Sequence, residues 1–179
     1  PAEAEVKAAK DITGFENLII NESAKTISFK KQAIRFDFGG IVPGYAAQKV
    51  IDLLKSKNIN IALVDASGDI VVGDAPPDKG GWTIAINLPE SESKVWSSKL
   101  ELKNYAVSTS GDVYRFIIHD GKKYSHIIDP RTGYGVTSQR NVTVITKHGA
   151  KADWLATACS ILPIKKALKL IKEEHAAIF

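Results

Sequence analysis

The chain has no methionine and only one cysteine, Cys159, among its 179 residues. A single cysteine excludes an internal disulfide and any zinc site assembled from several thiolates. It sits in the apolar stretch Leu155-Ala156-Thr157-Ala158-Cys159-Ser160-Ile161-Leu162, so it reads as a buried, inert thiol. Opening on Pro1-Ala2-Glu3 and lacking an initiator, the chain is expected to be a processed or cut piece of something longer. Apolar runs such as Ile84-Ala85-Ile86 and Phe116-Ile117-Ile118 fall far short of a membrane span, which takes ~20 residues. No repeat, low-complexity tract or linker stands out, so a single domain over residues 1–179 is expected. That length supports a core without disulfides or metal staples.

What is present is ordinary for a globular chain. Lysine and arginine total 24 against 20 aspartates and glutamates, a net charge of +4 with the lysines scattered. Such a mild excess suits solubility or anionic small molecules and is weak evidence for nucleic acid.

Periodicity predicts a helical lead-in over residues 1–10 and short extended segments at 17–21, 26–30 and 32–36. Ala47, Val50, Ile51 and Leu54 recur at helical spacing between Gly44 and Lys57. Strands are expected at 59–64 and 70–73 around a turn at Ser67-Gly68-Asp69, then at 82–88, 95–102 and 105–109. Residues 115–119 and 123–128 flank Asp120-Gly121, a two-residue hairpin signal. After a further strand at 142–146, two amphipathic helices at 152–162 and 165–175 are separated by Pro163, and residues 176–179 look like the start of a strand. Eight or nine strands with about three helices, not alternating strictly, predict an α+β fold with a mixed or antiparallel sheet.

Four segments could carry chemistry. Asp37-Phe38-Gly39-Gly40-Ile41-Val42-Pro43-Gly44 offers close backbone approach and a helix start, whose free N–H groups and dipole attract phosphate. It equally suits a plain strand-to-helix turn, and it is not a dinucleotide fingerprint. Asp153 and Thr157 stand i and i+4 on one helix face and are hard oxygen donors suited to Mg²⁺. Helix-end complementation by Asp153 is the plainer alternative. In Tyr124-Ser125-His126-Ile127-Ile128-Asp129-Pro130-Arg131-Thr132-Gly133, read as a strand and turn, His126 can serve as base or phosphate ligand, or as a structural histidine. Thr109-Ser110-Gly111-Asp112 is small and polar after a buried strand, which also describes a simple turn. His119, His148 and His175 flank turns or end a helix and receive no role.

Taken in order, these segments, with Ser67-Gly68-Asp69 and Ala152-Asp153-Trp154-Leu155-Ala156-Thr157-Ala158, resemble the ApbE family of FAD:protein FMN transferases over roughly residues 32–162. The resemblance implies an α+β fold, FAD as substrate, Mg²⁺ as cofactor and an extracytoplasmic, often lipid-anchored, periplasmic setting. It implies transfer of FMN from FAD to a threonine or serine hydroxyl of an acceptor protein, with AMP released. Carried over residue by residue, Gly40 (through its carbonyl), Asp153 and Thr157 would hold the metal. Asp37, Gly39, Gly40, Pro43, His126 and Ile127 would border the flavin nucleotide, with His126 or Asp153 accepting the proton. The family normally has Ile-Ala-Lys-Gly where this chain has Ile41-Val42-Pro43-Gly44, and Gly-Gly-Asp where it has Ser67-Gly68-Asp69. Its N-terminal portion is absent from these residues. Two other activities stay open: binding FAD without transferring it, and hydrolysing FAD to FMN and AMP.

Overall fold

A computed structural model of the chain describes residues 1–86, 99–111, 115–138 and 140–179. The first elements are helix α1 (Glu3–Ile12), a short 3-10 turn, strands β1 (Leu18–Asn21) and β2 (Thr26–Phe29), and helix α2 (Val42–Ser56). There follow β3 (Leu63–Ala66), β4 (Asp69–Val72), β5 (Trp82–Ala85), β6 (Lys99–Leu102) and β7 (Tyr105–Ser110). Then come β8 (Phe116–His119), β9 (Lys122–Ser125), β10 (Ile128–Asp129), β11 (Tyr134–Gly135) and β12 (Val142–Thr146). Helices α3 (Gly149–Ile161) and α4 (Ile164–Glu173) precede a last strand, β13 (Ala177–Ile178). The α+β class is as expected, with four helices and every strand pair antiparallel among the described residues.

Contacts divide the chain into two compact units, one of Pro1–Asp37 with Tyr114–Gln139 and one of Phe38–Val113 with Arg140–Phe179. The second unit is built on a five-stranded sheet of order β13-β12-β7-β4-β3. Side chains alternate across it. Val71 and Ala106 face Ala47 and Ile51 of α2 and Ala152 of α3. Along the same layer Val142 and Val144 pack on Leu155, Ala156 and Cys159, joined by Ala167 and Ile171 of α4. The opposite face, with Val72, Val107 and Ile145, is covered by Ile84 and Ile86 and by Leu100 and Leu102 of β6. Cys159 is 1 % exposed, and burial pushes its thiol pKa up, as an inert core thiol requires.

The first unit consists of α1 and three hairpins, β1–β2, β8–β9 and β10–β11. Asp120 and Gly121 both have positive φ, 50° and 72°, which is the two-residue turn expected between β8 and β9. Gly133 accepts φ 79° while α1 leaves no room beside it, since a Cβ there would come within 2.6 Å of Val6.

Four expectations change. Residues 32–36 form no strand, because Ala33 takes a left-handed φ of 65° and turns the chain away from β2. Residues 59–62 lie outside the regular ladder, although Asn60 and Ala62 carbonyls accept the N–H groups of Asp74 and Gly73 at 2.8 Å. Ser67 and Gly68 alone make the β3–β4 turn, with φ 60° and 100°, so Asp69 begins a strand instead of ending a turn. The strand expected through 128 stops at Ser125, and His126 stands in the bend before β10. Of the strands expected at 82–88 and 95–102, residues 87–98 lie outside the described residues, as does Asp112.

Candidate metal and nucleotide site

Residues 38–44 form the turn that leads into α2. Phe38 C=O accepts the N–H of Ile41 at 3.1 Å and of Val42 at 2.9 Å, and Tyr45 N–H donates to Ile41 C=O at 3.0 Å. Pro43 has no N–H to offer. Gly44 N–H, the next donor after Pro43, donates to Asp153 Oδ2 at 3.0 Å. Ile41, Val42, Gly44 and Tyr45 therefore each spend their N–H on an acceptor within the chain. At the positive end of α2 the Gly44 N–H thus meets a carboxylate from α3.

The close crossing of α2 and α3 makes this bond possible. A Cβ on Gly44 would collide with the Gly149 carbonyl and come within 2.8 Å of Asp153 Cβ, and a Cβ on Gly149 would collide with the Gly44 carbonyl. Gly149 N–H, at the start of α3, donates to Gln48 Oε1 at 2.9 Å, and Gln48 Nε2 donates to Asp52 Oδ1 at 2.9 Å. Gln48 and Gly149 were not singled out from sequence. A polar side chain on the buried stripe Gly44-Ala47-Gln48-Ile51 was the available signal.

Asp153 is 4 % exposed, and burial raises its carboxyl pKa, opposed by the bond from Gly44. Thr157 lies one turn further along α3 and meets Gly40, where an added Cβ would stand 3.0 Å from Thr157 Oγ1. The structure thus brings Gly40, Gly44, Asp153 and Thr157 together, with Gly39 and Pro43 in the same turn. The Gly40 carbonyl, an Asp153 carboxylate oxygen and the Thr157 hydroxyl are hard oxygen donors. Such a set fits Mg²⁺, which keeps positions for water and substrate phosphate. Among the described residues no group of three or more His, Cys, Asp or Glu could hold a metal, and of the three donors named here only Asp153 is a carboxylate.

Asp37, His126 and Ile127 belong to the other unit. Asp37 is exposed, at the end of that unit's first segment. His126 is exposed, its backbone N–H donates to Arg115 C=O at 3.0 Å, and its Nδ1 lies 3.1 Å from the same oxygen. Facing a carbonyl, Nδ1 must donate, which leaves Nε2 with the lone pair in the neutral ring. Ile127 N–H donates to Ser125 Oγ at 3.1 Å. Beyond it, Arg131 grips both Asp129 carboxylate oxygens, at 2.9 and 2.6 Å, and holds that carboxyl below its usual pKa. The Asp129 carbonyl accepts Gly133 N–H at 2.8 Å, and Lys10 of α1 donates to Arg131 C=O at 2.7 Å. Asp129 to Gly133 is a locked turn.

Comparison with known proteins bears on this arrangement. The profile of the ApbE family matches residues 1–179. An FAD:protein FMN transferase of Vibrio cholerae is 34% identical over 179 residues, covering 99% of this chain and 53% of that protein. The apo flavinyl transferase ApbE of Pseudomonas stutzeri superposes with a TM-score of 0.84 at 34% identity, covering 99% of this chain and 54% of the other. The ApbE protein of Thermotoga maritima gives 0.86 at 29% identity, covering 99% and 58%. The chain spans about half the length of the curated relatives it matches.

Proposed function

The chain belongs to the ApbE family, and on that premise we propose that it carries the metal-binding part of a Mg²⁺-dependent FAD:protein FMN transferase. A threonine or serine hydroxyl of an acceptor protein attacks the FMN phosphorus of FAD, the pyrophosphate bond breaks, and AMP leaves. The observation that carries this reading is the meeting of Asp153 and Thr157 with the Gly40–Gly44 turn.

In this reading Gly40, Asp153 and Thr157 hold the cation. When bound, Mg²⁺ supplies neutralisation of the charge on the phosphoryl oxygens. That supply matters here because Pro43 brings no positive charge and the Gly44 N–H is engaged by Asp153. Gly39 and Pro43 border the nucleotide beside the cation, and the roles of Asp37 and Ile127 rest on the family resemblance alone. His126 is favoured as proton acceptor through Nε2, because Asp153 is committed to Gly44 N–H and the metal. An extracytoplasmic setting is part of the same proposal, supported by the family resemblance.

Incubating the protein with FAD, Mg²⁺ and a flavin-accepting partner tests it. Covalent flavin on the partner is the expected result. Free FMN and AMP alone would replace transfer by hydrolysis. Unchanged bound FAD would leave a binding protein, a second reading that Pro43 favours.

A further inference from the structure

Asp69 has no part in the reading above, yet its setting is unusual. It precedes Val71 by two residues on β4, so it faces the same side of the sheet as Val71, toward α2 and α3. The register sets Ile70 against Val107, which puts Asp69 opposite Ser108 on β7. Ser108 lies on the same face as Ala106, is 3 % exposed, and donates its hydroxyl to Asp69 Oδ1. Among the described residues no lysine or arginine pairs with Asp69. Val71, its neighbour on this face, lies against α3, the helix that carries Asp153, 2.9 Å from where a Cβ on Gly149 would stand. A half-buried carboxylate with no cation beside it is costly to the fold, and asparagine would fill the same place and accept the same bond from Ser108.

We propose that Asp69 is a positioning residue for the cation, a second carboxylate held by Ser108 beneath α3 whose negative charge strengthens divalent-metal binding at Asp153 and Thr157. The inference rests on the metal reading of that pair. A divalent ion on one carboxylate keeps net positive charge, and in a water-poor layer a nearby negative charge attracts it strongly. Burial, and then the charges of Asp153 and Asp65, push the Asp69 pKa up to about 6 against the lowering effect of Ser108, so the group is mostly ionised at neutral pH. The site would then hold the metal with two charges and coordinate it with one, leaving the remaining positions to water and phosphate.

The test is a titration of the full chain with Mn²⁺, a hard ion of the same octahedral preference, following the free ion by its electron paramagnetic resonance signal. Asp153→Asn is expected to abolish the tight site. Asp69→Asn should weaken it roughly 10-fold or more, in line with partners that lie behind a metal ligand. Asp69→Glu, which keeps the charge, should retain most of the affinity, and Asp69→Asn should unfold at or above the parent temperature when metal-free. Parental affinity in Asp69→Asn would overturn the inference while leaving the metal site standing. Equal losses in the Asn and Glu variants would overturn it too, since charge would then not be the cause. A parent chain whose Mn²⁺ binding is untouched by Asp153→Asn would overturn the metal reading itself, and this inference with it.

Discussion

An acid whose folded pKa is raised holds its proton more tightly in the folded state than in the unfolded one. For Asp69, raised from 3.8 to about 6, the folded state binds more protons between those values. Its contribution to stability is therefore fullest below pH 3.8 and is lost as pH climbs through about 6. Asp69→Asn should accordingly melt above the parent at pH 7 in metal-free buffer, and the difference should vanish below pH 4. A gap that instead widened toward low pH would contradict the direction of the shift. Pro43 allows a second residue-scale expectation. Pro43→Lys should tighten FAD binding in the presence of Mg²⁺. A charge-assisted bond to phosphate contributes about 1.5–3 kcal/mol, roughly 10- to 150-fold. Gly44 N–H does little to blunt the gain, because it is held by Asp153. Equal affinity by titration would mean that this position does not meet the nucleotide. The pairing of Asp153 with Thr157 was legible, since i and i+4 share a face on any helix. Their meeting with Gly40 and Gly44 was not, because it depends on how two helices cross. Asp69 was legible as part of a motif, but its strand position followed only from the φ angles of Ser67 and Gly68.

Among the elements, the α2–α3 crossing is the one that fixes the site. Backbone touches backbone at Gly44 and Gly149, and neither carbonyl can yield to a methyl group as a side chain could. Gly149→Ala should lower stability by about 1–3 kcal/mol and weaken metal binding at the same time, read by urea unfolding and cation titration. Loss of stability with unchanged metal affinity would mean that Asp153 and Thr157 do not depend on this crossing. Local chemistry made several elements readable. Asp120-Gly121 carries residues that tolerate positive φ, and Ala47 with Ile51 marks the buried stripe of α2. Residues 32–36 misled because alternation of apolar and polar side chains says nothing about whether a partner strand is present. His126 misled in the same way, since the ladder of β8 and β9 ends one residue before it.

For the whole molecule, ligand linkage gives the broadest expectation. A cation bound only by the folded chain, at a free concentration 100 times its dissociation constant, adds about 2.7 kcal/mol of stability. Mg²⁺ should therefore raise the unfolding temperature of the parent, chelation should reverse the effect, and Asp153→Asn should show neither. An equal rise in that variant would place the cation elsewhere. Composition could not reveal the two units, because one of them is assembled from segments on either side of the other's first stretch, with no linker marking the changeover. That ordering also sets a schedule for synthesis. Gly44 and its acceptor Asp153 are separated by 109 residues, so at ordinary elongation rates α2 leaves the ribosome roughly 5–20 s before its cap is made. Until then a growing chain has a bare helix end and an open seam where α3 will lie. The seam closes only once Asp153 has been translated, and on the metal reading a nascent chain halted before it lacks the carboxylate that would hold the cation.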